Sequence, residues 1–383
     1  MSETTIHELK SLLFSLIRCN TVNPPGNSRE AIDLIAEYLK NTPADIKIIE
    51  AWDDKNKTYM YNLIAEYSTG SGKTLIFNGH HDVVPPGANW SYDPFKPVEE
   101  NGWIIGRGAS DMKGGIAAMV YAFKHLCENP DFKGKLVLSI VADEEIDSSA
   151  GTRYLLEKGL LKGDYAIVGE STGLNIVTAR KGVIWVKIKT LGVAAHGSKP
   201  HLGVNAIEKM AKIIERLSKL RWSIRHPRLG KPTMNFGIIR GGTSINTVAD
   251  ECELLIDMRA IPGQKIEDIK KRICGEIEKI RLKDKDLKYE IELIDVFPPY
   301  EIDRKHELVK IARKTVKEIT GKTPKLLAKP GSSDVVFLAE KGIASIDLGP
   351  TGRNAHGANE AVNFESVAKL SEIYIKVAKR ILK

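Results

Sequence analysis

The sequence predicts an α/β fold in which a mixed, mostly parallel sheet is flanked by helices and interrupted by a second, inserted domain. Three observations support this prediction. Short apolar runs alternate with amphipathic helical patterns, polar clusters follow several of those runs, and a separate βαββαβ order occupies the middle of the chain. With 383 residues, 42% of them hydrophobic, the chain is long enough to bury a sizeable core.

The N-terminal half has the alternation that is typical of a parallel sheet covered by helices on both faces. Apolar residues recur at helical spacing between Ser28 and Asn41, which predicts an amphipathic helix. The strands predicted after it are Ile46–Ile49, Tyr61–Tyr67, Thr74–Phe77, Leu136–Ala142 and Tyr165–Val168. Helical patterns at Gly115–Cys127 and Thr152–Glu157 alternate with the later strands.

The pattern changes near Lys181 to the βαββαβ order of a ferredoxin-like unit. Its predicted elements are strand Val183–Thr190, helix Val204–Leu220, strands Met234–Ile239 and Cys252–Arg259, helix Ile266–Ile280 and strand Lys288–Ile294. The α/β pattern then resumes with helix His306–Ile319, strand Ile343–Leu348 and helix Glu365–Leu382. We therefore predict a main domain of residues 1–180 and 295–383 that carries an inserted domain of residues 181–294.

Composition excludes several classes of protein. The net charge of +8 is spread along the chain without a dense basic block, so we expect no nucleic-acid partner. The four cysteines form no CxxC pair and indicate free thiols in a reducing compartment. The N-terminus lacks a signal pattern, and no run approaches the roughly 18 apolar residues of a membrane span. We expect a cytoplasmic protein without a membrane partner.

Imidazole and carboxylate side chains stand just beyond the predicted strands and in one glycine-rich turn. These residues are His80, Asp82, Asp111, Glu144, Glu145, Glu170 and His356. In open α/β sheets the crevice beyond the carboxyl ends of the strands binds ligands, so we expect these side chains to converge. Carboxylates and imidazoles without cysteine suit zinc or a similar divalent ion. Two cations would offset the repulsion among the carboxylates and would activate a shared water for hydrolysis.

Seven motifs occur in an order that resembles a known family. They are GHHDVVP (79–85), GRGASDMKGG (106–115), ADEE (142–145), VGEST (168–172), AHGSKP (195–200), GSSD (331–334) and AHGANE (355–360). Together they resemble the succinyl-diaminopimelate desuccinylase, acetylornithine deacetylase and aminoacylase family of dinuclear zinc amidohydrolases, which also contains carboxypeptidases and dipeptidases. The resemblance covers nearly the whole chain. It implies a zinc-peptidase-like catalytic domain and a lid domain that mediates dimerisation.

The resemblance also implies the ligands of two zinc ions per subunit, for which cobalt or manganese could substitute. His80 and Glu170 would bind one ion, Glu145 and His356 would bind the other, and Asp111 would bridge them. His81, the second imidazole of the first motif, is expected to point away from His80 and not to ligate.

The family's catalytic roles fall on three further residues. Glu144 would be the general base that takes a proton from the attacking water and delivers it to the leaving amine. Asp82 would accept a hydrogen bond from the other ring nitrogen of His80 and so fix its tautomer. His196, in the lid, resembles a histidine that reaches across a homodimer to stabilise the oxyanion.

Four residues resemble substrate-binding positions. Arg259 and Asn246 would orient the substrate, and Arg259 could grip a carboxylate through two hydrogen bonds. The GSSD motif is expected to form a tight loop, with Ser332 and Ser333 contacting the substrate as a further role. Structural alternatives remain open, because Arg259 could form an ion pair at a strand end and Asn246 could lie in a turn.

These features predict a hydrolase that cleaves the amide of an N-acyl amino acid, of the succinyl-diaminopimelate or acetylornithine type. A carboxypeptidase or dipeptidase acting on short peptides with the same centre is the alternative enzyme. A non-catalytic binding protein with the same fold is the alternative from another class. Residues 146–149 and Ser332 stand where many members of the family have glycine, which bears on the substrate rather than on the metal chemistry.

Overall fold

The computed structural model describes residues 3–383 and divides them into two compact units. The first unit contains the residues up to Thr178 together with Ile302–Leu327 and Ser333–Lys383. The second unit contains Ala179–Glu301 and Ala328–Ser332. The sequence boundaries at residues 180 and 295 lie near these limits, but they leave Ala328–Ser332 in the main domain, whereas the structure groups this segment with the second unit.

Helices and strands alternate along the first unit and again within the second. The helices of the described residues are α1 (Glu3–Arg18), α2 (Glu30–Leu39), α3 (Gly114–Glu128), α4 (Thr152–Glu157), α5 (Ala206–Ser218), α6 (Ile266–Arg281), α7 (Glu307–Thr320), α8 (Val335–Glu340) and α9 (Phe364–Ile381). The strands up to the second unit are β1 (Asp45–Asp53), β2 (Thr58–Ser68), β3 (Thr74–His80), β4 (Val98–Glu100), β5 (Trp103–Ile105), β6 (Lys135–Val141), β7 (Tyr165–Val168) and β8 (Ile176–Arg180). The later strands are β9 (Gly182–Leu191), β10 (Thr233–Gly241), β11 (Glu251–Ala260), β12 (Lys288–Phe297), β13 (Tyr300–Glu301), β14 (Leu326–Lys329), β15 (Ala344–Asp347), β16 (Gly352–Arg353) and β17 (Ala361–Asn363).

The large sheet is mixed, as predicted, with the strand order β1-β2-β6-β3-β7-β15-β8-β13 and with β14 beside β8. The central strands β6, β3, β7 and β15 are parallel, while β1, β2 and β8 pair antiparallel. Strands β3, β6 and β7 are buried along nearly their whole length, because helices cover both faces of a parallel sheet. Their carboxyl ends therefore lie at one edge of the sheet.

The second unit is a four-stranded antiparallel sheet with the order β10-β11-β9-β12 and two helices, α5 and α6. Alternate residues of β9 and β11 are buried, which is the pattern of a sheet with one covered face. Buried residues of α5 and α6 form one apolar core with those strands. The chain order and strand order are those of the predicted ferredoxin-like unit.

Several elements were not predicted, among them β8, β14, α8, α1 and the strands of a small sheet. Helix α1 buries Leu9, Leu13 and Leu16 although its first residues are polar. A small antiparallel sheet with the order β16-β17-β5-β4 consists of strands only two or three residues long. Within residues 3–383 no helix is long and apolar enough to cross a membrane.

Candidate metal centre

The imidazole and carboxylate residues predicted to converge do so at the carboxyl edge of the parallel strands. His80 ends β3, Glu144 and Glu145 follow β6, and Glu170 follows β7. Because β3 pairs in parallel with β6 and β7, these strand ends are neighbours. Asp111 comes from the irregular turn before α3. The loop between β16 and β17 supplies His356.

Asp111 stands between two imidazoles. Its Oδ1 lies 3.3 Å from Nε2 of His80, and its Oδ2 lies 3.2 Å from Nε2 of His356. On the first side, Oε1 of Glu170 lies 3.4 Å from the same His80 nitrogen. On the second side, Oε2 of Glu145 lies 3.0 Å from the His356 nitrogen. The five predicted ligands thus form two groups of three that share Asp111.

The imidazole-to-carboxylate distances in both groups suit a divalent cation. A tetrahedral zinc site with bonds of about 2.0 to 2.1 Å separates its ligand atoms by roughly 3.3 Å, close to the distances on both sides of Asp111. Nε2 of His80 and Oε1 of Glu145 are buried and have no hydrogen-bond partner among the described residues. Buried polar atoms without partners are rare in native proteins, and a cation would satisfy these two.

Glu144 lies at the margin of the cluster. Its Oε2 is 3.8 Å from Nε2 of His80, and its side chain is mostly buried. The ligand atoms of His80, Glu144 and Glu170 lie within 4.8 Å of one another, as do those of His80, Asp111 and Glu145. Distance alone therefore leaves Glu144 able to reach either a cation or a water beside it.

The electrostatics of the cluster favour bound positive charge. Burial raises the pKa of Glu144 well above its usual range; His80 opposes the rise, while Glu170 adds to it. Burial also raises the pKa of Glu145 to about 7, against the lowering effect of the hydrogen bond to His356. Hydrogen bonds to Asp111 and Glu145 raise the pKa of His356 to about 10. Positive charge at the cluster would therefore favour the ionised forms of Glu144 and Glu145.

Asp82 lies beside His80 with both its backbone oxygen and its carboxylate. Nδ1 of His80 lies 3.0 Å from the backbone oxygen of Asp82 and 3.4 Å from its carboxylate, so the carbonyl is the nearer acceptor. A carbonyl only accepts, so Nδ1 carries the proton and Nε2 is left free for a metal. The Asp82 carboxylate accepts hydrogen bonds from the backbone N–H groups of Glu144 at 3.2 Å and Glu145 at 3.3 Å.

Two buried residues near the cluster were missed by the sequence analysis. The Asn23 amide donates to the carboxylates of Asp82 at 3.0 Å and Asp143 at 3.2 Å. Asp334 accepts hydrogen bonds from the hydroxyls of Ser148 and Thr152, both at 2.7 Å. Asp334 belongs to the GSSD motif, so its signal was present in the sequence, whereas no motif singled out Asn23.

His81 takes part in neither group. Its ring is buried, and Nε2 donates to the carbonyl oxygen of Tyr61 at 2.9 Å. Burial lowers its pKa to about 4, so the ring is neutral. Its side chain therefore packs into the first unit away from the candidate ligands.

The GSSD serines differ in their surroundings. The Ser333 hydroxyl is fully buried and donates to the Asp347 carboxylate at 2.7 Å, so this hydroxyl has a structural role. The Ser332 hydroxyl is buried without a hydrogen-bond partner among the described residues. Of the two, Ser332 alone keeps an unused hydroxyl.

The three predicted lid residues all lie in the second unit. Nδ1 of His196 accepts a hydrogen bond from the backbone N–H of Ser198 at 3.1 Å, so in the neutral ring the proton sits on Nε2, which can donate. A β-bridge joins His196 to Thr247, the residue after Asn246, and Asn246 is exposed. Arg259 donates from two nitrogens to the Asp257 carboxylate, both at 2.9 Å, so its bidentate face is used within its own strand.

Comparisons with known proteins agree on one family. Residues 76–380 match the model of "Peptidase family M20/M25/M40". A succinyl-diaminopimelate desuccinylase from Nautilia profundicola is 32% identical over 376 residues, which cover 96% of this chain and 97% of that protein.

Two solved structures share the fold. A tripeptidase from Staphylococcus aureus has a TM-score of 0.78 at 23% identity and covers 98% of both chains. A metallo-carboxypeptidase from Sulfolobus solfataricus has a TM-score of 0.76 at 21% identity and covers 99% of both chains.

Proposed function

Because the chain belongs to the peptidase family M20/M25/M40 and is a metal-dependent amidohydrolase, we propose that it removes the acyl group from an N-acylated amino acid, with N-succinyl-diaminopimelate as the first candidate. The observation that carries the proposal is the position of Asp111, which offers one carboxylate oxygen to each of two imidazole–carboxylate groups. The extended similarity to a desuccinylase supports the choice of acyl group. A bacterial lysine-forming or arginine-forming pathway would use this activity.

The proposed ligands are those that the family resemblance implies. His80 and Glu170 would hold one cation, Glu145 and His356 the other, and Asp111 both. The mixture of imidazole and carboxylate favours zinc, with cobalt or manganese as substitutes. When bound, the pair of cations would polarise the substrate carbonyl and lower the pKa of a water held between them.

Glu144 is the proposed general base. Its carboxylate stands at the edge of the cluster, where it could reach a water beside a bound cation, and burial raises its pKa well above the usual range. It would take a proton from the attacking water and then deliver that proton to the leaving amine. The Asp82 carboxylate would keep Glu144 in place by accepting from its backbone N–H.

We also propose a homodimer that forms through the second unit. Strand β10 is an edge strand, and Ile238 and Ile239 on it are 45% and 53% exposed. Nearby in sequence, Ile245 is fully exposed. Large apolar side chains on an open sheet edge favour pairing with a second copy. In this dimer, Nε2 of His196 would donate to the oxyanion of the partner's substrate.

The remaining roles are proposals of the same kind. Asn246 and Arg259 would orient the substrate, and Arg259 would exchange its internal partner Asp257 for a substrate carboxylate. Ser332 would offer its unused hydroxyl. The four cysteines are free thiols, which supports a cytoplasmic location.

A second candidate is a carboxypeptidase or dipeptidase. The family name and the fold shared with a metallo-carboxypeptidase favour it. The same cluster would serve both reactions, since each reaction cleaves an amide bond in a substrate that carries a carboxylate. A purely binding role is disfavoured, because the chain belongs to a family of hydrolases.

The test is release of amine by the zinc- or cobalt-loaded protein from N-succinyl-diaminopimelate, N-acetylornithine and a set of dipeptides. We expect the highest kcat/KM with the succinylated substrate. Glu144→Ala is the control, and it should release no amine from any of them. A preference for dipeptides would replace the proposal by the peptidase alternative, and an inactive metal-loaded protein would contradict both.

A further inference from the structure

A buried ion pair lies beside the cluster and has no role in the proposed mechanism. Arg107 and Glu360 are each 1% exposed, and Nη1 of Arg107 lies 2.5 Å from Oε2 of Glu360. Removing two charges from water is costly, and further hydrogen bonds to both partners offset part of that cost. The groups that form those hydrogen bonds show which parts of the chain the ion pair positions.

Glu360 holds the turn that carries Asp111. Its Oε1 accepts from the backbone N–H groups of Ser110 at 2.8 Å and Asp111 at 2.9 Å, and its Oε2 accepts from that of Gly108 at 3.0 Å. The Asp111 backbone, with φ −126° and ψ 92°, is not helical, so its position does not follow from the adjoining helix. One carboxylate therefore fixes the residue that stands between the two groups.

Arg107 holds the loop that carries His356. Its Nη2 donates to the carbonyl oxygens of His356 at 3.3 Å and Pro86 at 3.1 Å. Its guanidinium carbon lies 5.2 Å from the centre of the Trp90 ring, which packs over it. His356 has a φ of 63°, a left-handed conformation that costs a residue with a side chain on the order of 1 kcal/mol, so the loop needs such an anchor.

We propose that the Arg107–Glu360 pair is a positioning device that sets the separation of Asp111 and His356 for the cation on the Glu145 side. Two of the three ligands on that side are attached to the pair, through the contacts to Asp111 and His356. Only Asp111 is attached on the His80 side. Disturbing the pair therefore weakens the two cation sites unequally. This inference rests on the ligand set given under the proposed function.

Cobalt binding at each of the two cation sites can be measured alone in a variant that lacks a ligand of the other site. His80→Ala keeps the Glu145 side, and His356→Ala keeps the His80 side. Cobalt is titrated into each background by calorimetry and by its visible absorption, with and without Glu360→Gln. We expect Glu360→Gln to weaken cobalt binding by about 10- to 100-fold on the Glu145 side, with a smaller loss on the His80 side.

Arg107→Lys provides a second test that keeps the buried charge pair. Lysine can still pair with Glu360, but it cannot also reach the carbonyls of His356 and Pro86 as a planar guanidinium does. We expect weaker cobalt binding on the Glu145 side and unchanged binding on the His80 side. Glu360→Gln leaves Arg107 buried without a countercharge. If the Glu360→Gln protein does not fold, Arg107→Lys still tests the proposal.

Thr190→Val is the matched control for lost stability. The buried Thr190 hydroxyl donates to the carbonyl oxygen of Ala206 at 2.9 Å in the second unit, so its loss should lower the Tm without changing cobalt binding. Equal losses in both backgrounds, or no loss in folded variants, would overturn the positioning role. A wild-type protein that binds fewer than two cobalt ions would instead contradict the proposed centre, and the inference with it.

Discussion

Glu144 and Glu145 are adjacent in sequence but stand in different surroundings. Oε2 of Glu145 lies 3.0 Å from the His356 nitrogen, whereas Oε2 of Glu144 lies 3.8 Å from the nearest imidazole nitrogen, that of His80. Both backbone N–H groups donate to Asp82, one to each carboxylate oxygen. This anchoring keeps Glu145 on the cluster and Glu144 beside it, so the proposed base can lie next to a proposed ligand without replacing it.

The first prediction concerns Glu144→Gln. Glutamine keeps the shape of the side chain but cannot take a proton, so we expect kcat to fall by about 10²- to 10⁴-fold or more while metal content stays at the wild-type level. Steady-state amine release and elemental analysis measure the two quantities. Glu145→Gln is the contrasting variant, and it should lose metal. Wild-type turnover by Glu144→Gln would remove it from the role of base.

At the scale of single residues, sequence motifs identified the side chains that meet at the cluster. They did not identify the residues that hold those side chains in place. His80, Asp111 and Glu145 lie in short recognisable strings. Asn23 contacts Asp82 across 59 positions in sequence, and nothing in its own neighbourhood marks that contact. Hydrogen bonds between distant segments are set by the packed fold, so a single sequence does not reveal them.

At the scale of elements, the chain segments that follow β7 and β15 stay hydrogen-bonded to each other beyond the ends of these parallel strands, toward the cluster. The N–H of Leu348 donates to the carbonyl oxygen of Val168 at 3.0 Å, and that of Gly349 donates to the Thr172 hydroxyl at 2.9 Å. A Cβ at Gly349 would lie 2.0 Å from the carbonyl oxygen of Glu170. Glycine is therefore required where the segment after β15 passes the residue after β7.

Gly349→Ala is the second prediction. The added methyl group must push the Glu170 backbone aside, so we expect a loss of stability of about 1–3 kcal/mol and roughly tenfold weaker cobalt binding on the His80 side. Thermal unfolding and cobalt titration measure these changes. Gly275→Ala is the control, since nothing lies within 4 Å of a Cβ there. Unchanged cobalt binding by Gly349→Ala would show that the backbone adjusts without moving Glu170.

Most of the long periodic elements were predicted, whereas the shortest strands were not. The strands that carry the cluster and the βαββαβ order of the second unit follow from apolar runs and helical spacing. The strands of the small sheet, such as β16 with two residues, are too short for any period. Helix α1 had a readable apolar stripe, including Leu9, Leu13 and Leu16, but its polar first residues concealed it.

At the scale of the whole molecule, the order of the motifs predicted the family, the α/β fold and the enzyme class, and the match over residues 76–380 confirms the family. The motifs do not predict the interface of the proposed homodimer in the same way, because a single chain carries only half of that interface. The second unit offers exposed apolar residues on and near its edge strand β10, and the same unit carries His196. A shared active site would make assembly a condition for turnover.

Mixing two inactive variants tests this shared site. In a His196→Ala subunit the base is intact, and in a Glu144→Gln subunit the lid histidine is intact, so a mixed dimer contains one complete site. With random exchange at equal amounts, half of the dimers are mixed, and we expect activity at about one quarter of all sites. Amine release is measured after co-refolding, with each variant refolded alone as the control. Mixed dimers that are confirmed by mass but remain as inactive as the parents would place His196 in its own subunit's site.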